Sequence, residues 1–280
     1  MTDIDSSVVV ITGGASGVGR AIALECVRQG ARGVIIADIE IGPAEEAVTE
    51  LCNLGSDSGI RAIAVQTDVS DRTSVENLAS RAYTEFEEVN LLFNNAGVSK
   101  RSLLAEAPAE DWEWVLAIDL IGPLNGIYAF VPLMRKQDGP AHVINTASVS
   151  GLVSRPNQNG IYTAVKHGLI GISGVLHDEL ASEGIVVSCW CPGGMITNMY
   201  DSGRNRQQHF GGSYPPRPRP VTREPNPLTP EKAAERVLAA VRENRRYIFT
   251  HPQTRQTVEA YYQQIIEDFE AGNRIAKDLN

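Results

Sequence analysis

Tyr162 and Lys166 stand at positions i and i+4 of a segment with helical periodicity, so their side chains share one face of the predicted helix. A nearby ammonium group favours a phenolate and lowers the pKa of a tyrosine from its ordinary value of about 10. Such a phenol acts as an acid or a base near neutral pH. Ser148 follows the strand predicted at 142–146, where its hydroxyl can polarise a substrate oxygen. Together these residues predict proton transfer at an oxygen atom.

A glycine-rich turn lies between the first predicted strand and the first predicted helix. It runs from Thr12 to Gly19 with the spacing Thr-Gly-x-x-x-Gly-x-Gly, which differs from the G-x-G-x-x-G of the usual dinucleotide fingerprint. Gly13, Gly17 and Gly19 keep Cβ atoms away from the backbone N–H groups, and the helix N-terminus favours an anion. The turn therefore predicts a site for the pyrophosphate of a dinucleotide; the alternative is a tight turn without a ligand.

An acid stands at the end of the second predicted strand. Asp38 lies 19 residues after Gly19, close to the spacing of about 20 at which an acid binds the adenosine ribose hydroxyls of a dinucleotide. A carboxylate there accepts hydrogen bonds from those hydroxyls and repels a 2′-phosphate. Asp38 therefore predicts NAD rather than NADP as the cofactor. The alternative is a solvated acid at a strand end.

Strand-like and helix-like segments alternate along the chain. Strands are predicted at 8–12, 34–37, 60–66, 91–93, 142–146, 185–190 and 247–250, and helices at 18–29, 43–54, 71–86 (with Ser70 as the cap), 108–136, 162–182, 230–243 (with Thr229 as the cap) and 254–271. This pattern predicts an α/β fold, a doubly wound (Rossmann) parallel sheet of about seven strands with helices on both faces. We expect a single domain over 1–280, with a substrate lid at about 199–228 and a C-terminal extension at about 251–280.

The bulk composition excludes several classes of function. The 280-residue chain has a formal net charge of −9, which argues against a general nucleic-acid binder. The short acidic N-terminus does not resemble a signal peptide, and the apolar runs fall short of the roughly 18 residues of a membrane span. The four cysteines show no Cys-x-x-Cys spacing, and no metal site is predicted. We expect a cytoplasmic protein without a membrane or nucleic-acid partner.

Over about 7–197 the chain resembles the short-chain dehydrogenase/reductase family. The glycine turn, Asp68-Val69, Asn94-Asn95-Ala96-Gly97, the Ser148/Tyr162/Lys166 set and the run from Pro192 to Thr197 carry the resemblance. It implies that Tyr162 is the general acid/base, that Ser148 orients the substrate, and that Lys166 binds the nicotinamide ribose. The cofactor-binding residues that we predict are Gly13, Ser16, Gly17, Val18, Gly19, Asp38, Ile39, Asp68, Val69, Asn95, Ala96, Gly97, Tyr162, Lys166, Pro192, Gly193, Met195 and Thr197.

One position departs from the family pattern. The resemblance implies a fourth catalytic residue within 118–122, normally Asn, where this chain has Asp119. An ionised Asp cannot donate a hydrogen bond, and its charge near Lys166 alters the coupled titration. We expect a working proton relay with a changed pH profile; the alternative is an impaired enzyme.

These observations predict an NAD-dependent dehydrogenase/reductase that moves a hydride between the nicotinamide and a secondary alcohol or ketone, lipophilic or aryl-bearing. The predicted substrate contacts are Ser148, Tyr162, Val153, Tyr200 and Phe210. Two alternatives stay open, an NADPH-dependent acyl or polyketide-type ketoreductase and a catalytically idle nucleotide-binding protein. The partner is then a small-molecule alcohol or ketone, and the resemblance implies a homo-oligomer, a tetramer or a dimer.

Overall fold

The computed structural model describes residues 1–56, 59–154, 159–215 and 227–278. Positions 216–226 of the predicted lid and 279–280 of the predicted extension lie outside the described residues. The strands are β1 (Val8–Thr12), β2 (Gly33–Asp38), β3 (Arg61–Gln66), β4 (Leu91–Asn94), β5 (Ala141–Thr146), β6 (Ile185–Trp190) and β7 (Tyr247–Ile248). The α-helices are α1 (Gly17–Arg28), α2 (Ile41–Leu54), α3 (Arg72–Phe86), α4 (Ala109–Leu116), α5 (Gly122–Met134), α6 (Gly160–Leu180), α7 (Pro230–Arg242) and α8 (Arg255–Asp278).

All seven strands join one parallel sheet in the order β3-β2-β1-β4-β5-β6-β7. After β3 the chain crosses to the other half of the sheet, so the strand order reverses between the neighbouring strands β1 and β4. At such a switch point the connections diverge and leave a crevice outside the carboxyl ends of the strands. The predicted fold class is confirmed, and the fold itself marks the edge at which a ligand binds.

Each face of the sheet has its own core. Along β1, Val8 and Val10 pack into a cluster with α3, α4, α5 and α6, whereas Val9 and Ile11 pack into a cluster with α1, α2 and α7. Every residue of β1 is buried, because a parallel strand covered on both faces meets apolar neighbours on both. This is why the strands are continuous apolar runs rather than alternating ones.

The helix predicted at 108–136 is interrupted. A π-helical turn at Ala117–Ile121 separates α4 from α5, and the N–H of Gly122 donates to the carbonyl of Ala117, five residues earlier. Pro123 explains the interruption, because proline has no N–H and its ring excludes the carbonyl four residues before it, that of Asp119. Such turns occur often at functional sites, and this one carries Asp119.

Among the other boundaries that differ from the prediction are those of α3, β7 and α8. Asp71 rather than Ser70 caps α3, accepting a hydrogen bond from the N–H of Thr73 at 2.9 Å, because the Ser70 hydroxyl is engaged with Asp68 at 2.6 Å. β7 is two residues long, since the chain then turns towards the loop after β6. α8 continues through Gly272 to Asp278 instead of ending at position 271. The Thr229 cap is confirmed, its hydroxyl accepting from the N–H of Lys232.

One stretch of the described chain, Ala109–Met134, is long and apolar enough to cross a membrane by length and composition alone. It comprises α4, the π-helical turn and α5, and 61% of its most apolar window is buried inside the protein. Its largest apolar side chains, Trp114 and Phe130, lie in the core at 1% and 0% exposure. The apolar character of this stretch therefore serves packing against the sheet.

Candidate active site

A cavity of about 1150 Å³ opens at the carboxyl ends of the strands. Every residue predicted to bind the cofactor lines it: Gly13, Ser16, Gly17, Val18, Gly19, Asp38, Ile39, Asp68, Val69, Asn95, Ala96, Gly97, Tyr162, Lys166, Pro192, Gly193, Met195 and Thr197. Ser148 and Tyr200 line the same cavity. The structure therefore brings together motifs that are spread over most of the sequence.

The glycine turn between β1 and α1 is built for close backbone approach. Gly13 has a φ of +65°, and a Cβ atom on it would lie 2.9 Å from the Cα of Ala96. A Cβ on Gly19 would lie 2.2 Å from the carbonyl oxygen of Gly13. The first residues of α1, Gly17 to Gly19, line the cavity, and a helix N-terminus beside a cavity is an arrangement that binds a phosphate. The residues present therefore fit a dinucleotide.

Thr12 and Asn95 join this turn to the end of the neighbouring strand β4, a role that was not predicted from the sequence. The Thr12 hydroxyl accepts hydrogen bonds from the N–H groups of Asn95 and Ala96 at 2.9 and 3.1 Å. The side-chain amide of Asn95 donates to the carbonyl of Thr12 at 3.0 Å. The sequence signal was the presence of Thr and Asn within the two glycine motifs. These bonds join the ends of β1 and β4 at the switch point and hold the turn in place.

Asp38 ends β2 at the cavity wall. Its carboxylate accepts from the N–H of Ala15 at 3.0 Å and from the N–H of Glu40 at 3.1 Å. Burial raises the pKa of Asp38, and these backbone hydrogen bonds oppose the rise. The carboxylate is thus held in place beside the glycine turn, as the binding of ribose hydroxyls requires.

Ser148, Tyr162 and Lys166 meet where β5 and α6 face the cavity. The Lys166 Nζ atom lies 5.4 Å from the centre of the Tyr162 ring and donates to the carbonyl of Thr146 at 2.8 Å. Ser148 lies beside the Tyr162 side chain, where it favours the phenolate and lowers the Tyr162 pKa. α6 carries Tyr162 and Lys166 on its buried face, so helix periodicity correctly predicted that the two groups lie together.

The expected lowering of the Tyr162 pKa is only part of the balance. Burial raises the pKa of Tyr162; Lys166 lowers it, Asp119 raises it again, and Ser148 lowers it, with a net rise above the ordinary value. The prediction of a net depression from Lys166 alone was therefore wrong. Lys166 does lower the pKa of Tyr162, as predicted, but the prediction left out the desolvation of the phenol, which raises it.

Asp119 lies behind this set and does not line the cavity. Its side chain is fully buried; Oδ1 accepts from the N–H of Val98 at 2.8 Å, and Oδ2 lies 3.2 Å from the Lys166 Nζ. Burial raises the pKa of Asp119, partly offset by Lys166. For Lys166, burial acts to lower the pKa, but Asp119 and Tyr162 outweigh it and the pKa is raised. The carboxylate is thus a direct electrostatic partner of the lysine.

Two predicted substrate contacts lie elsewhere. Val153 is 3% exposed and does not line the cavity, because it is a buried packing residue. Phe210 packs against the core cluster that contains Trp114 and is also absent from the cavity wall. Of the residues beyond position 197 that were expected to contact substrate, Tyr200 lines the cavity.

Residues 198–210, which follow the loop after β6, form a segment that we call the strap. It comprises two 3-10 helices, Asn198–Asn205 and Gln208–Phe210. Gln207 donates to the Asp68 carboxylate at 2.7 Å, and Arg206 pairs with the buried Asp111 at 2.6 Å. These contacts were not predicted from the sequence, because the partners lie 139 and 95 residues apart and share no local pattern.

The parallel sheet, its switch point and the glycine turn define a Rossmann-like protein, and comparisons with known proteins narrow the class. The family model described as short chain dehydrogenase matches residues 7–208. A C alpha-dehydrogenase from Sphingobium sp. is 30% identical over 273 residues, 95% of this chain and 88% of the relative. The chain belongs to the short-chain dehydrogenase family of oxidoreductases.

Two further relatives bear on the site. A 3-oxoacyl-[acyl-carrier-protein] reductase from Synechocystis sp. is 33% identical over 202 residues, 72% of this chain and 79% of the relative. The crystal structure of a short chain dehydrogenase/reductase from Burkholderia phymatum in complex with NAD matches with a TM-score of 0.86 and 34% identity, covering 96% of this chain and 97% of that one. The family likeness therefore extends over the whole fold, and a protein of this shape holds a nicotinamide cofactor.

Proposed function

We propose that the protein is an NAD-dependent dehydrogenase/reductase that acts on a secondary alcohol or ketone. The observation that carries the proposal is that Ser148, Tyr162 and Lys166 line the same cavity as Asp38 and the glycine turn, with the Lys166 Nζ atom 5.4 Å from the centre of the Tyr162 ring. The match to an NAD-bound relative supports the cofactor class.

In this proposal the chain's own residues manage the proton and the alignment. Ser148 holds the substrate oxygen next to the Tyr162 phenol. Ionised Tyr162 accepts the hydroxyl proton during oxidation, and the neutral phenol returns it during reduction. Lys166 stabilises the phenolate and is itself oriented by Asp119 and the Thr146 carbonyl. The bound nicotinamide supplies the hydride acceptor or donor.

Asp38 supports NAD over NADP. Its carboxylate is held by backbone N–H groups at the end of β2, where it accepts from ribose hydroxyls and repels a 2′-phosphate. The glycine positions that leave no room for a Cβ atom supply the phosphate cradle. Asp68, Val69 and Thr197 are the further proposed contacts along the cavity wall.

The cavity wall supports a lipophilic or aryl-bearing substrate. Apolar and aromatic side chains stand on it beyond the predicted cofactor set: Trp114, Ile118, Ile196, Met199 and Tyr200. Such a lining favours burial of an apolar group next to a few placed polar atoms.

We further propose a single-domain, cytoplasmic homo-oligomer, a tetramer or a dimer, with a small-molecule partner and no nucleic-acid or membrane partner.

A second candidate is an NADPH-dependent acyl or polyketide-type ketoreductase, which the 3-oxoacyl reductase relative favours. Fluorescence titrations of the full-length protein with NADH and NADPH separate the two candidates. We expect NADH to bind more tightly, and Asp38→Asn to narrow the difference. Tighter binding of NADPH to the wild-type protein would favour the second candidate.

The first test of catalysis is Tyr162→Phe, assayed with NAD against a panel of secondary alcohols and with NADH against the matching ketones. We expect turnover to fall by at least about a hundredfold, because proton transfer by a positioned acid/base contributes about 10²–10⁴. NADH affinity should stay close to that of the wild type. Tyr83→Phe removes a hydroxyl of α3 that donates to Gln137; neither residue lines the cavity, so this variant is the matched control. Wild-type turnover in Tyr162→Phe would refute the assignment.

A further inference from the structure

The strap meets the predicted adenosine end of the cavity at a carboxylate not yet given a role. Glu40 lies two residues after Asp38, and both line the cavity together with Arg204, Asn205 and Gln207 of the strap. The backbone N–H of Glu40 also donates to Asp38. The two acids are therefore parts of one local structure at the end of β2.

Glu40 is fully engaged by the strap. Arg204 donates to both of its carboxylate oxygens, and Asn205 donates to Oε2 at 2.7 Å. Burial raises the pKa of Glu40, but Arg204 and Asn205 outweigh it and hold the pKa below its ordinary value. The Arg204 and Glu40 side chains are 32% and 28% exposed, so this pair is partly shielded from solvent.

Arg204 is the cation whose placement matters for a phosphate. A guanidinium binds the oxygens of a carboxylate or a phosphate through the same planar fork. The negative charges of Glu40, Asp201 and Asp38 each act to raise the pKa of Arg204. Nε and Nη2 of Arg204 donate to Glu40, and Nη1 donates to the carbonyl of Asp201 at 3.1 Å. Engaged in this way, the guanidinium does not offset the repulsion between Asp38 and a 2′-phosphate.

We propose that Glu40 is a cofactor-selectivity residue, which withholds Arg204 from a ribose 2′-phosphate and so strengthens the preference for NAD. This inference rests on the proposed function, because it concerns the same ribose that Asp38 binds. A net negative charge at the ribose follows from two acids and one guanidinium, and the strap places that guanidinium on the wall of the same cavity.

The test uses the full-length protein and measures the dissociation constants of NADH and NADPH by energy transfer from tryptophan. In Glu40→Gln we expect the ratio of the NADPH to the NADH dissociation constant to fall by about tenfold, the size of one charge-assisted hydrogen bond to a phosphate. In Glu40→Gln/Arg204→Gln the ratio should return towards that of the wild type, because the cation is gone. Glu46→Gln, the same charge change at an exposed position of α2, is the matched control.

An unchanged ratio in Glu40→Gln overturns the inference, as does a fall that persists in the double variant. Equal weakening of both cofactors also overturns it, because that result makes Glu40 a strap anchor alone. Failure of the proposed function looks different: the wild-type protein would then bind neither cofactor, or Asp38→Asn would leave the ratio unchanged.

Discussion

At the scale of single residues, the site is governed by a chain of charges rather than by one pair. Asp119 touches Lys166, and Lys166 stands beside the Tyr162 ring. Because Asp119 raises the pKa of Tyr162 while Lys166 lowers it, the acidity of the phenol reports the charge of a residue that does not reach the cavity. We therefore expect Asp119, in place of the family's Asn, to change the acidity of the Tyr162 phenol.

Asp119→Asn tests this consequence. Oxidation needs the ionised phenol, so its rate rises with pH through the pKa of Tyr162. Removing the Asp119 charge removes an influence that raises that pKa, and we expect the rising limb of the kcat/KM profile for alcohol oxidation to move to lower pH. Glu113→Gln, an exposed acid on α4, should leave the limb unmoved. A profile identical to that of the wild type would remove the proposed electrostatic role of Asp119.

At the scale of elements, the loop after β6 depends on His251, which lies three residues after the end of β7. The Nδ1 atom of the fully buried His251 accepts from the N–H of Gly193 at 3.0 Å, and Nε2 lies 3.1 Å from the Gly194 carbonyl, to which it donates. A Cβ on Gly193 would lie 2.9 Å from the His251 ring. β7 is short because the chain turns here to hold the loop that carries Pro192, Gly193 and Thr197 to the cavity.

His251→Ala should therefore affect both stability and cofactor binding. The hydrogen bonds of the imidazole with Gly193, Gly194 and the Thr250 hydroxyl are lost. The Gly193 N–H is left without its imidazole acceptor, and we expect a loss of about 2–4 kcal/mol of unfolding free energy. We expect the NADH dissociation constant to rise as well, since the loop lines the cavity. Urea unfolding and NADH titration measure the two effects, with the exposed Gln253→Ala as the control. A loss of stability with unchanged NADH affinity would contradict the positioning role.

Local patterns predicted the elements better than the contacts between them. Apolar runs and helix periodicity gave the strands of the sheet, and the two glycine motifs gave the cavity wall. The π-helical turn was not predicted, although Gly122-Pro123 was a signal for it. An apolar run with helical periodicity hides one extra residue in a helical turn. The strap contacts to Glu40, Asp68 and Asp111 join positions far apart in the sequence, and a polar segment rich in Arg and Gln reads equally as a loop in solvent.

At the scale of the whole molecule, the edge of the sheet opposite the site is closed by a buried polar cluster. His142 on β5 contacts the Thr2 hydroxyl at 2.9 Å and the Ser188 hydroxyl at 2.7 Å. Thr2 in turn donates to the side chain of Asn244, and Ser188 donates to the carbonyl of Arg245. The N-terminal segment, two central strands and the turn after α7 thus meet around one imidazole. Protonation of that ring bears on the stability of the whole fold.

In the folded protein, burial and, to a lesser degree, His177 lower the pKa of His142 to about 3. In the unfolded chain the imidazole takes up a proton below about pH 6.5. We therefore expect the free energy of unfolding to fall as the pH drops below that value. This group alone should account for a loss of about 2 kcal/mol between about pH 7.5 and about pH 5. Urea unfolding across this range at constant protein concentration measures it. His142→Gln should be less stable at the higher pH but flatter in its pH dependence, whereas His209→Gln, at an exposed position of the strap, should keep the wild-type slope. If His142→Gln loses as much stability on acidification as the wild type, the buried imidazole does not set the acid sensitivity of the fold.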